Sequence, residues 1–136
     1  MTAELAGVLW VHGEIEGRNA QTAGPYARAL AELIARMRTD LGVPDLPFAM
    51  LMPWPGGAKV EPVLPAFLSG LDALERGLPR FTLVRAPAHS LEVYGDRYPS
   101  LDASPFDEAN CLSHYTEEGQ RVVGTLLAEH VRVRWG

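Results

Sequence analysis

His12, Gly13 and Glu14 follow directly on the apolar run Val8-Leu9-Trp10-Val11. An imidazole gains or loses a proton near neutral pH. A carboxylate accepts hydrogen bonds or orients a base, and glycine lets the backbone turn where other residues resist. Together at the end of a strand, the three could form the rim of an active site. A strand end followed by a polar turn has the same composition. His12 is therefore either a hydrogen-bond donor to a ligand at that rim, or a strand-end histidine bonded to backbone. Glu14 is either a member of the same site or a loop carboxylate that orders the turn. The second imidazole of interest is His114, a candidate general base three residues after the single cysteine, Cys111. A Cys-His pair is one way to activate a nucleophile, although a lone cysteine also serves as a small buried hydrophobe. His12, His89, His114, Glu14 and the scattered aspartates have no zinc-like spacing, so no metal and no cofactor are expected. Trp10 lies inside an apolar run and belongs to the core, whereas Trp54, between two prolines, is better placed to face a ligand.

The elements that would position these residues follow from patterning. Residues 6–12 are short, apolar and β-branched or aromatic, and predict a strand buried on both faces. Residues 25–41 predict a helix with Pro25 in its first turn. Tyr26, Leu30, Leu33, Ile34, Met37 and Leu41 form its apolar stripe, and Gly42 and Pro44 end it. Residues 46–54 predict a second buried strand. A second helix falls within 60–77, confined to the later part by Pro62 and Pro65, and residues 80–87 predict a third strand. Residues 88–112 are irregular, a length that in a small domain serves function or docking. A final helix begins after Thr116, a good N-cap. Glu117 and Glu118 suit its positive end, and Val122, Val123, Leu126 and Leu127 supply its buried face. The order β-α-β-α-β-loop-α implies one α/β domain over residues 1–136, with a parallel sheet between helices. Ligands of such sheets bind beyond the carboxyl ends of the strands. His12, Glu14 and the segment around His114 are expected at that rim.

Bulk properties narrow the function classes. The chain has 136 residues, 47% hydrophobic and 21% charged, with net charge −5 and one lysine, Lys59. No basic patch is available for nucleic acid. No run reaches membrane-spanning length, and a single cysteine excludes an internal disulfide. The N-terminus lacks the basic and apolar regions of a signal peptide, which points to the cytoplasm or to a larger particle.

Three stretches, "GVLWVHGEIE", "YARALAELIARMRTDLGVPDLPFAML" and "LSHYTEEGQRVVGTLLAEHV", resemble the sialate O-acetylesterase-like carbohydrate esterases of the SGNH hydrolase superfamily. The resemblance implies a three-layer flavodoxin-like fold, here a partial one, and removal of acyl groups, usually acetyl, from sugars by a Ser-His-Asp triad. It places His114 at the catalytic histidine and His12 where the family has an oxyanion-holding glutamine. Gly13 and Glu14 match their counterparts. The acid position three residues before His114 is Cys111, with Asn110 beside it and Asp107 and Glu108 the nearest carboxylates. None of Ser69, Ser90, Ser100, Ser104 and Ser113 has the context of the family's nucleophile.

Two functional expectations follow. One is an esterase domain whose serine comes from a partner chain, acting on acylated carbohydrate through His114, Glu14 and His12. The alternative is a non-catalytic glycan-binding or structural subunit of a larger assembly. Either way, strands that would flank Val8–Val11 are missing, and that run carries no charge or proline to protect an edge. A homo-oligomer or hetero-complex partner is expected over the Val8–Val11 edge or the helix beside it.

Overall fold

A computed structural model of the chain describes residues 4–14, 16–18, 20–52, 64–87, 91–92 and 114–135. Three strands, β1 (Val8–Trp10), β2 (Phe48–Leu51) and β3 (Phe81–Val84), form a parallel sheet in the order β1-β2-β3. Helices α1 (Ala20–Asp40) and α2 (Leu64–Gly77) connect them, and α3 (Glu117–Arg134) closes the chain. The expected α/β order is observed, and the architecture is a partial flavodoxin-like fold.

Strand alternation sorts the core into two layers. Phe48, Met50, Phe81 and Leu83 point to one face and meet Leu30 and Ile34 of α1 and Phe67 and Leu71 of α2. Ala49, Leu51 and Val84 point to the other and meet Val123 and Leu127 of α3. Phe48, Met50, Leu51, Ile34 and Leu71 are essentially fully buried. Each such side chain contributes about 1.5–3 kcal/mol, so the sheet centre holds the fold together.

β1 departs from expectation. It is three residues long, and it is covered on one face only. Val8 and Trp10 pack towards α1 and α2, while Leu9 is 44% and Val11 43% exposed. The reason is the placement of α3, which lies across β2 and β3. Helix α1 starts five residues before Pro25, which therefore sits inside the helix. Proline there forgoes one backbone bond, a loss tolerable close to the helix start. Leu33 and Leu41, assigned to the buried stripe, are exposed. The Arg38 guanidinium then clamps the helix to the strand entries. It donates to Leu46 O at 3.1 and 3.0 Å and to Pro79 O at 2.8 Å.

The two sheet edges differ. On β3 the outward backbone of Leu83 is occupied by side chains. Its N–H donates to Glu75 Oε1 at 2.6 Å, and its C=O accepts from Arg85 Nη1 at 3.3 Å. Arg85 is also paired with Asp72 and Glu75, at 2.7 Å each. On β1 the bond from Val8 N to Pro47 O directs Val8 at β2. Alternation then turns the N–H and C=O of Leu9 outward, where no described strand meets them.

Candidate active site

The segment after β1 is built around Gly13. Its φ is 110°, a conformation that side chains disfavour, and its C=O accepts from Gly17 N at 2.9 Å. The chain turns there into a short 3₁₀ helix, Glu16–Arg18. His12 and Glu14 are thereby left on the rim rather than continuing the strand. At the other end of the sequence, Thr116 caps α3. Its Oγ1 accepts from Gly119 N at 3.2 Å and donates to Glu92 Oε2 at 2.6 Å, and its N–H donates to Glu92 O at 3.0 Å. This fully buried threonine fixes the two residues before it, His114 and Tyr115.

These two chain regions meet at the carboxyl end of β1. His12, Gly13, Glu14 and Glu16 line a cavity of about 430 Å³ together with His114, Tyr115 and Gln120. The candidate residues His12, Glu14 and His114, the last of them more than 100 positions away in sequence, thus share one cavity. Tyr115 Oη donates to Glu14 Oε1 at 3.0 Å and ties the two regions together. Gln120 Nε2 donates to Tyr115 O at 3.1 Å. His114 is exposed, with its ring free of hydrogen bonds among the described residues.

His12 is held from below. Its Nδ1 is 2.9 Å from Tyr26 Oη, and the two rings lie 5.8 Å apart with planes 10° from parallel. On the other side its Nε2 is 3.8 Å from Glu16 Oε1. Burial pushes the Tyr26 phenol up to about 12, against an opposing pull from Trp10 and with Glu16 and Glu14 adding to the rise. Tyr26 thus keeps its phenol proton at any physiological pH. Trp10 packs with the core cluster as expected.

Sequence reading placed Tyr26 in a helix stripe and passed over Tyr115, Glu16 and Gln120. The available signal for Tyr115 was its position beside His114. For Glu16 it was the i, i+4 spacing from His12. Cys111, Asn110, Asp107, Glu108, His89 and Trp54 lie outside the described residues, as do all the serines except Ser69. Ser69 is exposed on α2, an element that does not line the cavity. Among the described residues no group of three or more His, Cys, Asp or Glu could hold a metal ion. No helix among them is long and apolar enough to cross a membrane.

The chemistry on offer is a free imidazole, a second imidazole held by a tyrosine, and a carboxylate held by another. Comparison with known proteins places the chain in a family. No curated protein matches the chain. A crystal structure of a protein from Arabidopsis thaliana superimposes with a TM-score of 0.66 at 23% identity, covering 98% of this chain and 46% of the plant protein. The chain thus spans about half the length of that protein and shares its fold. Residues 1–132 match the family of carbohydrate esterases described as sialic acid-specific acetylesterases, and the chain belongs to that family.

Proposed function

We propose that this chain carries the histidine and donor half of a carbohydrate O-acyl esterase site, acting on acetylated sugars. The supporting observation is the convergence of His12, Glu14 and His114 on one cavity at the carboxyl end of a strand, in a chain of an acetylesterase family. In this reading the nucleophilic serine comes from outside the 136 residues, on a partner chain. His114 takes the serine proton as the hydroxyl attacks the acyl carbon. The Nε2–H of His12 donates to the resulting oxyanion, in the role of the family's glutamine. His114 then protonates the departing sugar oxygen. It next activates water against the acyl-serine, releasing acetate and restoring the serine. Glu14, held by Tyr115, keeps the rim in register.

A second reading, glycan binding without turnover, is favoured by Cys111 at the expected acid position and His12 at the glutamine position. Triad members act as a unit, and losing one costs orders of magnitude in rate. A chromogenic acetyl ester discriminates. The isolated chain should give no turnover above buffer. With a partner that bears a Gly-x-Ser stretch, turnover should appear and vanish in His114→Ala. Binding of acetylated sugar by that complex without turnover supports the second reading. Turnover by the isolated chain that His114→Ala abolishes refutes the partner requirement, and sensitivity to Cys111→Ser would identify the thiol as nucleophile.

A further inference from the structure

We infer that Tyr26 is a positioning residue for His12, donating its hydroxyl proton to Nδ1 so that His12 presents an Nε2–H donor to the cavity. This builds on the reading of His12 as an oxyanion donor. It adds the device that decides which nitrogen carries the proton.

Two observations on different elements carry the inference. Tyr26 Oη lies 2.9 Å from His12 Nδ1, within the range of a well-formed hydrogen bond. On the opposite side, Nε2 faces the Glu16 carboxylate at 3.8 Å. A carboxylate only accepts, so Glu16 also favours a proton on Nε2. A proton on Nδ1 would leave Nε2 with a lone pair pointing towards Glu16. It would also make the tyrosine the acceptor of the 2.9 Å contact rather than its donor.

The arrangement is rigid on the tyrosine side. Tyr26 belongs to α1 and packs against Phe67 of α2, with ring centroids 5.1 Å apart. The ring of His12 lies nearly parallel to it. An imidazole on an exposed rim has little else to hold it, since His12 is half exposed. Its ring touches Trp10, with centroids 5.7 Å apart, and its short polar contact is with Tyr26, a side chain anchored in the core. A glutamine at this position can donate only from its amide nitrogen. A histidine can donate from either ring nitrogen, and so needs a neighbour that selects one. Tyr26 fills that need.

The test is heteronuclear NMR on the 136-residue chain, at a pH where His12 is neutral. It depends on no enzymatic activity, so failure of the esterase reading leaves it interpretable. The expected spectrum shows Nδ1 of His12 as an unprotonated acceptor and a slowly exchanging Tyr26 hydroxyl proton that correlates with it. In Tyr26→Phe the ratio of Nδ1–H to Nε2–H should rise about five-fold, the factor that one ordinary hydrogen bond is worth. Glu16→Gln should leave the Nε2–H form dominant. An Nδ1–H tautomer in the unaltered chain overturns the inference. So does an unchanged ratio in Tyr26→Phe, or a redistribution in Glu16→Gln alone, which would make Glu16 the selector.

Discussion

Two glycines on α3 provide a test of how the site is held. Gly119 is buried in the first turn, and a Cβ built there falls on the Glu92 carbonyl oxygen and within 3.1 Å of the Tyr115 Cβ. Gly124 lies one and a half turns further on and has nothing within 4 Å of such a Cβ. Alanine at Gly124 should therefore gain only helix propensity, up to about 1 kcal/mol. At Gly119 the same gain is opposed by overpacking against backbone, which costs about 1–3 kcal/mol. Glu92 O cannot easily retreat, because it accepts from Thr116 N at the cap of the same helix. The expected outcome is about 1–2 kcal/mol of destabilisation for Gly119→Ala and stabilisation of up to about 1 kcal/mol for Gly124→Ala. At this chain length that is a melting temperature lowered by about 4–8 °C in one variant and raised by about 2–4 °C in the other. Thermal and urea denaturation followed by circular dichroism read both. Stabilisation of both variants would refute the reasoning, for it would mean that the contact between α3 and Glu92 yields freely. The clamp on His114 and Tyr115 would then be loose.

Acid stability should depend on Glu75. Burial pushes its carboxyl up, but bonds from Arg85 and the Leu83 N–H outweigh this and hold it below the usual carboxylate range. A carboxyl depressed in the folded state stabilises above its unfolded value, about pH 4.3, and the contribution is lost as pH falls through the folded value. Glu75→Gln should be less stable near neutrality and show a shallower loss on acidification, measured by urea midpoints across pH 3–6 (from about one unit below the ordinary carboxylate range to about two above it); a slope identical to the unaltered chain counts against it. Association should run through β1. Light scattering over a concentration series should show oligomers, or a complex once the partner is added, with Leu9→Lys weakening it. A soluble monomer whose Leu9 amide exchanges rapidly would mean that the edge is tolerated bare.

The parts of the fold legible in the sequence were those where local chemistry and tertiary packing agree. Thr116 followed by Glu117 and Glu118 signalled the start of α3, and the structure uses that threonine as its cap. Gly42 marked the end of α1 and adopts φ 67° there. Pro65 bounded α2, which begins at Leu64. Misreadings arose where a distant element decides. The apolar run of β1 gave no sign that α3 would leave Leu9 and Val11 uncovered, because periodicity is blind to which helix crosses which strand. Pro25 looked like a helix start by local rule, yet α1 extends back to Ala20. The site was legible in part. His12, Glu14 and His114 stood out by residue type and reach one cavity. Tyr26 and Tyr115 did not, since a tyrosine in a helix stripe or beside a cap carries no local mark of the partner it will meet.

The contrast between the sheet edges bears on where a partner strand would join in the proposed reading. Glu75 and Arg85 occupy the outward backbone of Leu83, so a strand arriving at β3 would have to displace two side chains already paired with each other. Among the described residues nothing comparable protects Leu9 on β1, and the apolar side chains of Leu9 and Val11 lie open beside it. β1 is also the strand whose carboxyl end carries His12, Gly13 and Glu14 into the cavity. A strand added in parallel to β1 has its own carboxyl end alongside those residues, and the loop beyond it opens over the same rim. In the proposed reading, a functional group on that loop would approach the cavity that His114 lines. If a partner supplies the nucleophile, as proposed, the β1 edge is therefore the one from which it could reach His114, and pairing there would bring the nucleophile to the site in one event.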